Sequence, residues 1–228
     1  MRRASRASVA RRTLAFDLDG TLTDNFAGIA GCIRHALACL AITDPGADAL
    51  RACVGPPMRE SLGKLLGSAD PALVETALAH YRSRYATLGW RENVAYPGVA
   101  GLLNSLTDNG ERLYLCTTKP QQFAEMIVAH FGFVDHFVGI YGTTDDGALD
   151  DKATLFSHML TQEALEPAQC IMIGDRQHDV RAARNNGARS IGVLWGYGSR
   201  DELESAGAEA IVATPEELQI VLDQEAWF

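Results

Sequence analysis

The chain has 228 residues, 47% apolar and 21% charged, enough for one α/β domain with a large insertion or for two small domains, and too apolar for wholesale disorder. Its net charge of -9 argues against a general nucleic-acid binder, which needs a cationic face. No apolar stretch nears the ~20 residues of a membrane span, and the five cysteines contain no C-x-x-C pair, so a reducing, cytoplasmic setting without nucleic-acid or membrane partners is expected.

Residues 1–12 hold Arg2, Arg3, Arg6, Arg11 and Arg12 and no apolar run, which reads as a disordered basic arm rather than a secretory signal. The buried-strand pattern of Thr13-Leu14-Ala15-Phe16 then runs into Asp17-Leu18-Asp19-Gly20-Thr21. Residues i and i+2 of an extended segment face the same way, so Asp17 and Asp19 address one site, and Gly20 permits a sharp turn. Residues 24–95 are expected to form an all-helical subdomain. Helical spacing covers 25–41, 46–53, 57–67 and 71–88, broken at Asp44-Pro45-Gly46, Gly55-Pro56-Pro57 and Asp70-Pro71.

After Tyr96-Pro97-Gly98, apolar strands alternate with amphipathic helices. Strands are predicted at 112–117, 137–141, 170–174, 190–194 and 210–213. Helices are predicted at 98–108, 120–131, 151–164, 177–186, 200–206 and 215–225. This alternation means a parallel sheet covered on both faces, a Rossmann-like three-layer core built from 13–23 and 96–228. Ligands bind such sheets at the carboxyl ends of the strands.

Three strand ends carry chemistry: Asp17 to Thr21, Thr117-Thr118-Lys119, and Gly174-Asp175-Arg176-Gln177-His178-Asp179. Parallel strands bring them to one rim with four carboxylates. Like charges raise one another's pKa, and a hard divalent cation with oxygen ligands relieves them, Mg2+ above all. A phosphate group accounts for the neighbouring Thr and Lys donors.

D-x-D-G-T after an apolar strand, with G-D-x-x-x-D after a later one, resembles the haloacid dehalogenase superfamily, in its phosphatase branch with a helical cap. Asp179-Val180-Arg181-Ala182-Ala183, Trp195-Gly196-Tyr197-Gly198 and Gly55-Pro56-Pro57 look most like the phosphoglycolate phosphatase and 5′-nucleotidase-like members. The resemblance implies Asp17 as nucleophile, forming an aspartyl-phosphate, and Asp19 as general acid and base. It implies that Thr117, with Thr118 beside it, holds the phosphoryl group, and that Lys152 pairs with nucleophile and phosphate. It further implies that Asp175 joins Asp17 and the Asp19 carbonyl at Mg2+, and that Asp179 supports that site.

Only three of the 20 basic residues are Lys: Lys64, Lys119 and Lys152. The order of motifs favours Lys152 over Lys119 for the phosphate. Arg59, after the Gly-Pro-Pro turn, is a candidate for the distal carboxylate of phosphoglycolate. The alternative substrate, a nucleoside monophosphate, needs an apolar wall that Met58 or Tyr85 supplies. Trp195 and Tyr197 are expected to pack at the sheet rim and His178 to be solvated. The expected partner is a small phosphorylated metabolite, and the chain a monomer or homodimer. A dehalogenase, a phosphomutase and a non-enzymatic phospho-accepting receiver are the rivals. Asp19 and the metal-site acids speak against the first, and the long helical insert against the last.

Overall fold

The computed structural model describes residues 12–56, 58–68, 70–144 and 146–224. The first strand, β1 (Thr13–Phe16), is followed by the short β2 (Thr23–Asp24). A helical insert comes next: α1 (Phe26–Cys39), α2 (Ala47–Arg51), α3 (Met58–Leu66) and α4 (Pro71–Thr87). The chain returns through β3 (Val94–Ala95) and α5 (Val99–Asp108) to β4 (Arg112–Pro120). Then follow α6 (Gln121–His130), β5 (Phe137–Thr143), α7 (Lys152–Gln162), β6 (Cys170–Gly174) and α8 (Gln177–Asn185). The last elements are β7 (Arg189–Val193), α9 (Arg200–Ala206), β8 (Ala210–Val212) and α10 (Pro215–Leu222).

Six strands form one parallel sheet in the order β5-β4-β1-β6-β7-β8, so the core is the expected Rossmann-like α/β fold. The chain builds outward from β1 on one side through β4 and β5, then on the other through β6 to β8. β1 is therefore the point where strand order reverses, the place where such sheets open a crevice. Thr13 lies level with Arg112 on one side and Cys170 on the other, which aligns the carboxyl ends of β1, β4 and β6.

Side chains alternate across the sheet. Leu14, Phe16, Leu113, Leu115, Ile171 and Ile173 face the layer of α5, α6 and α10. Ala15, Tyr114, Cys116, Cys170 and Met172 face α7 and α8. Both faces are buried, which is why these strands read as unbroken apolar runs rather than alternating ones. The apolar residues of the insert, among them Ile29, Ile33, Leu37, Val74 and Leu78, join the first of these two layers.

Helix starts follow the sequence signals. Asp70 accepts a hydrogen bond from Ala72 N (3.0 Å) with Pro71 in the first turn, and Asp151 accepts one from Thr154 N (2.8 Å). Two features depart from expectation. β2 and β3 pair antiparallel, an unforeseen two-stranded ribbon at the two chain crossings into and out of the insert. Arg12 is not part of a loose arm: its carbonyl accepts from Arg112 N (3.0 Å), and its guanidinium pairs with Glu111. Residues 1–11 lie outside the described residues. Among the described residues, no helix is long and apolar enough to cross a membrane.

Candidate active site

Asp17 is the first residue past β1, and its backbone N donates to Ile173 O on β6 (2.9 Å), which fixes the nucleophile candidate between two strand ends. Lys152 opens α7 just after the Asp151 cap and turns inward. Its buried ammonium lies 2.6 Å from Asp17 Oδ1 and 2.9 Å from Asp179 Oδ1. Burial works against its charge, but the two carboxylates outweigh burial and hold its pKa above the ordinary lysine value. Asp179 also accepts from Arg176 N (3.1 Å), so it sits inside the first turn of α8 and braces the lysine from there.

Asp175 follows β6 and is fully buried. Its Oδ2 accepts from Tyr197 N (2.8 Å), and its Oδ1 lies 3.5 Å from the Thr21 hydroxyl. Burial, then the neighbouring Asp17 and Asp179, push its pKa well above the carboxylate range, and burial lifts Asp179 to about 6. One oxygen from each of Asp17, Asp175 and Asp179 falls within 4.8 Å of the others. Three buried carboxyl groups so close are a hard-oxygen donor set that suits a divalent cation such as Mg2+. The backbone leaves no slack around them: Gly20 has φ 92°, and a Cβ there would fall 2.2 Å from Asp175 Oδ2. A Cβ on Gly196 would fall 2.2 Å from Gly20 O and 2.4 Å from Asp175 Cβ.

Asp19 stands two residues beyond Asp17, as the strand-end spacing required. Its Oδ2 pairs with Lys119 at 2.6 Å, whereas its Oδ1 is buried and has no partner among the described residues. Burial raises the Asp19 pKa, and Lys119 pulls it back. Lys119 in turn donates to Tyr85 OH of α4 (2.8 Å), so the insert reaches the acid–base candidate through one lysine. Tyr85 stacks with Tyr81 at 5.7 Å and meets Phe123 of α6 edge-on at 4.9 Å. Beyond Asp19, therefore, stands an aromatic wall.

The remaining sequence candidates divide. Thr117 is buried at the end of the β4 apolar run, and its Oγ1 accepts from Lys119 N (3.3 Å). Thr118 is exposed, because the alternation along β4 turns it away from its buried neighbours. Arg59 is exposed and pairs with Glu75 of α4 at 2.6 Å, a surface contact between two helices of the insert, and among the described residues no contact ties it to the carboxylates. The two lysines do not compete for one role: Lys152 serves Asp17, and Lys119 serves Asp19.

The loop after β7 carries Trp195 and Tyr197, expected at the sheet rim, but the sequence did not name their partners. Trp195 Nε1 donates to Thr21 O (2.8 Å), and Tyr197 OH donates to Asp24 Oδ1 (2.6 Å) beside the start of the insert. Arg176 donates to Val54 O (2.8 Å) in the insert and pairs with Glu202 (2.9 Å). Arg51, Ala52, Arg176, Gly196 and Tyr197 line a cleft where insert and core meet. The readable signal was Trp195-Gly196-Tyr197-Gly198, since two glycines around an aromatic mark a close backbone approach.

Residues 14–193 match the haloacid dehalogenase-like hydrolase family, and the chain belongs to it. It is a phosphoric monoester hydrolase of that family. A 5′-nucleotidase of Pseudomonas aeruginosa is 42% identical over 192 residues, covering 84% of this chain and 86% of that protein. Tyrosine-protein kinase PtkA of Mycobacterium tuberculosis is 37% identical over 223 residues, covering 97% of this chain and 76% of that protein. A crystal structure described as a predicted phosphatase from Clostridium acetobutylicum superposes with a TM-score of 0.87 at 35% identity, covering 94% of this chain and 99% of that one.

Proposed function

We propose that the chain hydrolyses small phosphate monoesters in a Mg2+-dependent reaction through an aspartyl-phosphate on Asp17, with nucleoside 5′-monophosphates as its preferred substrates. The observation that carries the mechanism is the pair of differently held carboxylates. Asp17 is aligned by a buried ammonium, and Asp19 keeps one buried oxygen without a partner among the described residues.

In the first half-reaction a carboxylate oxygen of Asp17 attacks phosphorus, and the bond from phosphorus to the ester oxygen breaks. The leaving oxygen takes a proton from Asp19 and departs as the alcohol. In the second, water attacks the phosphorus of the acyl phosphate, its proton passes to Asp19, and the Asp17 carboxylate is released with inorganic phosphate. Lys152 holds Asp17 in line and faces the charge that gathers on the phosphoryl oxygens, while the Thr117 hydroxyl is a further donor for them. Mg2+ held by Asp17, Asp175 and the Asp19 carbonyl, with Asp179 in support, would neutralise phosphoryl charge. Lys119 is a positioning residue: it fixes one oxygen of Asp19 so that the other points to the leaving group.

The aromatic wall supports the nucleotide reading. Tyr81, Tyr85 and Phe123 form an aromatic cluster beside Lys119, and that cation already has an anionic partner. That environment suits a nucleobase better than the free carboxylate of phosphoglycolate, and Arg59, the expected carboxylate clamp, is engaged with Glu75. The 42% identity to a protein named 5′-nucleotidase agrees with it. The insert acts as a cap that closes over the bound ester and excludes water.

Phosphate release should be measured over a panel of nucleoside 5′-monophosphates, sugar phosphates, phosphoglycolate and phosphotyrosine peptides. Nucleotides are expected at the highest kcat/KM. A preference for phosphoglycolate would move the substrate assignment to small acids. Phosphoryl transfer from ATP to a tyrosine peptide, without monoester hydrolysis, would overturn the reading.

A further inference from the structure

The helical insert carries a second cluster of metal-ligating side chains, formed without any residue of the sheet. His35 and Cys39 lie four residues apart on α1, the spacing that sets two side chains over one another on a helix face. His35 Nε2 and Cys39 Sγ are 3.8 Å apart. His80 enters from α4, with its ring centroid 6.4 Å from that of His35 and the planes at 82°. One ligand atom from each of the three lies within 4.8 Å of the others.

Packing explains why they meet. Ile29, Ile33 and Leu37 of α1 and Val74, Ala77 and Leu78 of α4 are buried in one apolar cluster. The two histidines and the cysteine stand at the solvent margin of that helix pair: His35 and Cys39 are exposed and His80 is half-buried. Cys39 is the exposed cysteine of the five, and Cys32, Cys53, Cys116 and Cys170 are buried.

We infer that His35, Cys39 and His80 form a binding site for a zinc-class transition-metal ion, with two imidazole nitrogens, one thiolate and water in the fourth position. Metal bonds of about 2.0–2.1 Å to nitrogen and 2.3 Å to sulfur place tetrahedral ligand atoms roughly 3.3–3.7 Å apart. The His35–Cys39 pair is already close to that spacing. Both side chains, and the half-buried His80, have room to close the remaining gap by rotating. No carboxylate belongs to the trio, so its chemistry selects borderline-soft ions and leaves Mg2+ to the oxygen cluster of the core. The consequence is mechanical. A metal bridging α1 and α4 locks the register of the helix that carries Tyr81 and Tyr85, and so stiffens the aromatic wall.

The test uses the full chain, reduced, with excess Mg2+ to saturate the carboxylate site, titrated with Co2+ as a coloured stand-in for zinc. A thiolate-to-cobalt charge-transfer band should appear, saturate at a single equivalent and vanish when Zn2+ is added. Cys39→Ser should abolish the band, and His80→Ala should weaken binding by about 100-fold, at least the loss known for residues one shell farther out. Neither residue belongs to the catalytic machinery, so phosphatase activity with Mg2+ should persist in both variants and certify their fold. Absence of a thiolate band in the wild type would overturn the site. A band that survives Cys39→Ser, or binding unchanged in His80→Ala, would do so equally.

Discussion

Replacing Lys119 by Met keeps the length and stem of the side chain and removes the cation 2.6 Å from Asp19 Oδ2. An opposite charge this close lowers a carboxyl pKa by ~1–3 units. Without it, burial should lift Asp19, already raised, by about that much, equivalent to roughly 1.4–4 kcal/mol. The sign follows from the two half-reactions. Asp19 must be deprotonated to take a proton from water, so dephosphorylation fades as pH falls through the Asp19 pKa, and in Lys119→Met that acid limb should move up by ~1–3 pH units. The first half-reaction needs the protonated acid, so its alkaline limit should move up too. Rapid-quench measurement separates the two rates with an alkyl phosphate as substrate. Profiles of variant and wild type that coincide within about 0.3 pH unit, some 0.4 kcal/mol, would refute Lys119 as the residue that sets Asp19. Tyr85→Phe keeps the ring contacts to Tyr81 and Phe123 and loses only the hydroxyl that accepts from Lys119, so its limb should move in the same direction by less than about one unit.

Lys152→Ala should cost ~2.7–4 kcal/mol of transition-state stabilisation, read as a fall of about 10²–10³ in kcat. It should also lower Tm, because Asp17 and Asp179 then stay buried without their cation; a kcat within tenfold of wild type would contradict the pairing. Arg59→Ala should leave kcat/KM within about twofold for every substrate, since exposed ion pairs contribute little; a selective rise in KM for phosphoglycolate would return Arg59 to the site. Without metal, the raised pKa values of Asp175 and Asp179 mean that the folded chain holds protons an unfolded carboxyl has already lost. Between the ordinary value of 3.8 and about 6, stability should therefore fall as pH rises. Mg2+ should accordingly raise Tm more at about pH 7 than at about pH 5, and calorimetry showing equal shifts at both would count against these acids as its ligands.

The strands and helices of the core were legible because their signals are local. β1, β4 and β6 are apolar runs that lead into charged or hydroxyl residues, and α4, α7 and α10 begin at Asp or Thr caps with Pro or a strong turn beside them. Asp17, Asp19, Thr117, Asp175 and Asp179 were legible as candidates because each stands near the end of a strand's apolar run or within the turn or first helical turn after it. Lys152 needed the family's order of motifs, since a lysine after two acids reads equally well as a plain helix start. What escaped depends on packing across long sequence distances. Nothing near Lys119 announces that Tyr85, on a helix of the insert, will meet it, and nothing near Tyr197 announces Asp24. Arg59 is the opposite case. A stiff Gly55-Pro56-Pro57 turn and an arginine made a plausible anion clamp, but Glu75, one helix away, is a nearer and exposed partner. β2 and β3 are too short to carry a period of their own.

The central claim, covalent catalysis by Asp17, is tested most directly by quenching the enzyme in acid during turnover of a nucleoside 5′-monophosphate with Mg2+ and mapping the phosphorylated peptide by mass spectrometry. The account predicts one phosphoryl group on Asp17, formed and lost at rates consistent with kcat. It also predicts that Asp17→Asn carries no phosphoryl group and loses at least ~10³-fold in turnover. Steady turnover by Asp17→Asn within tenfold of wild type, or a phosphoryl group mapped to any other residue, would contradict it.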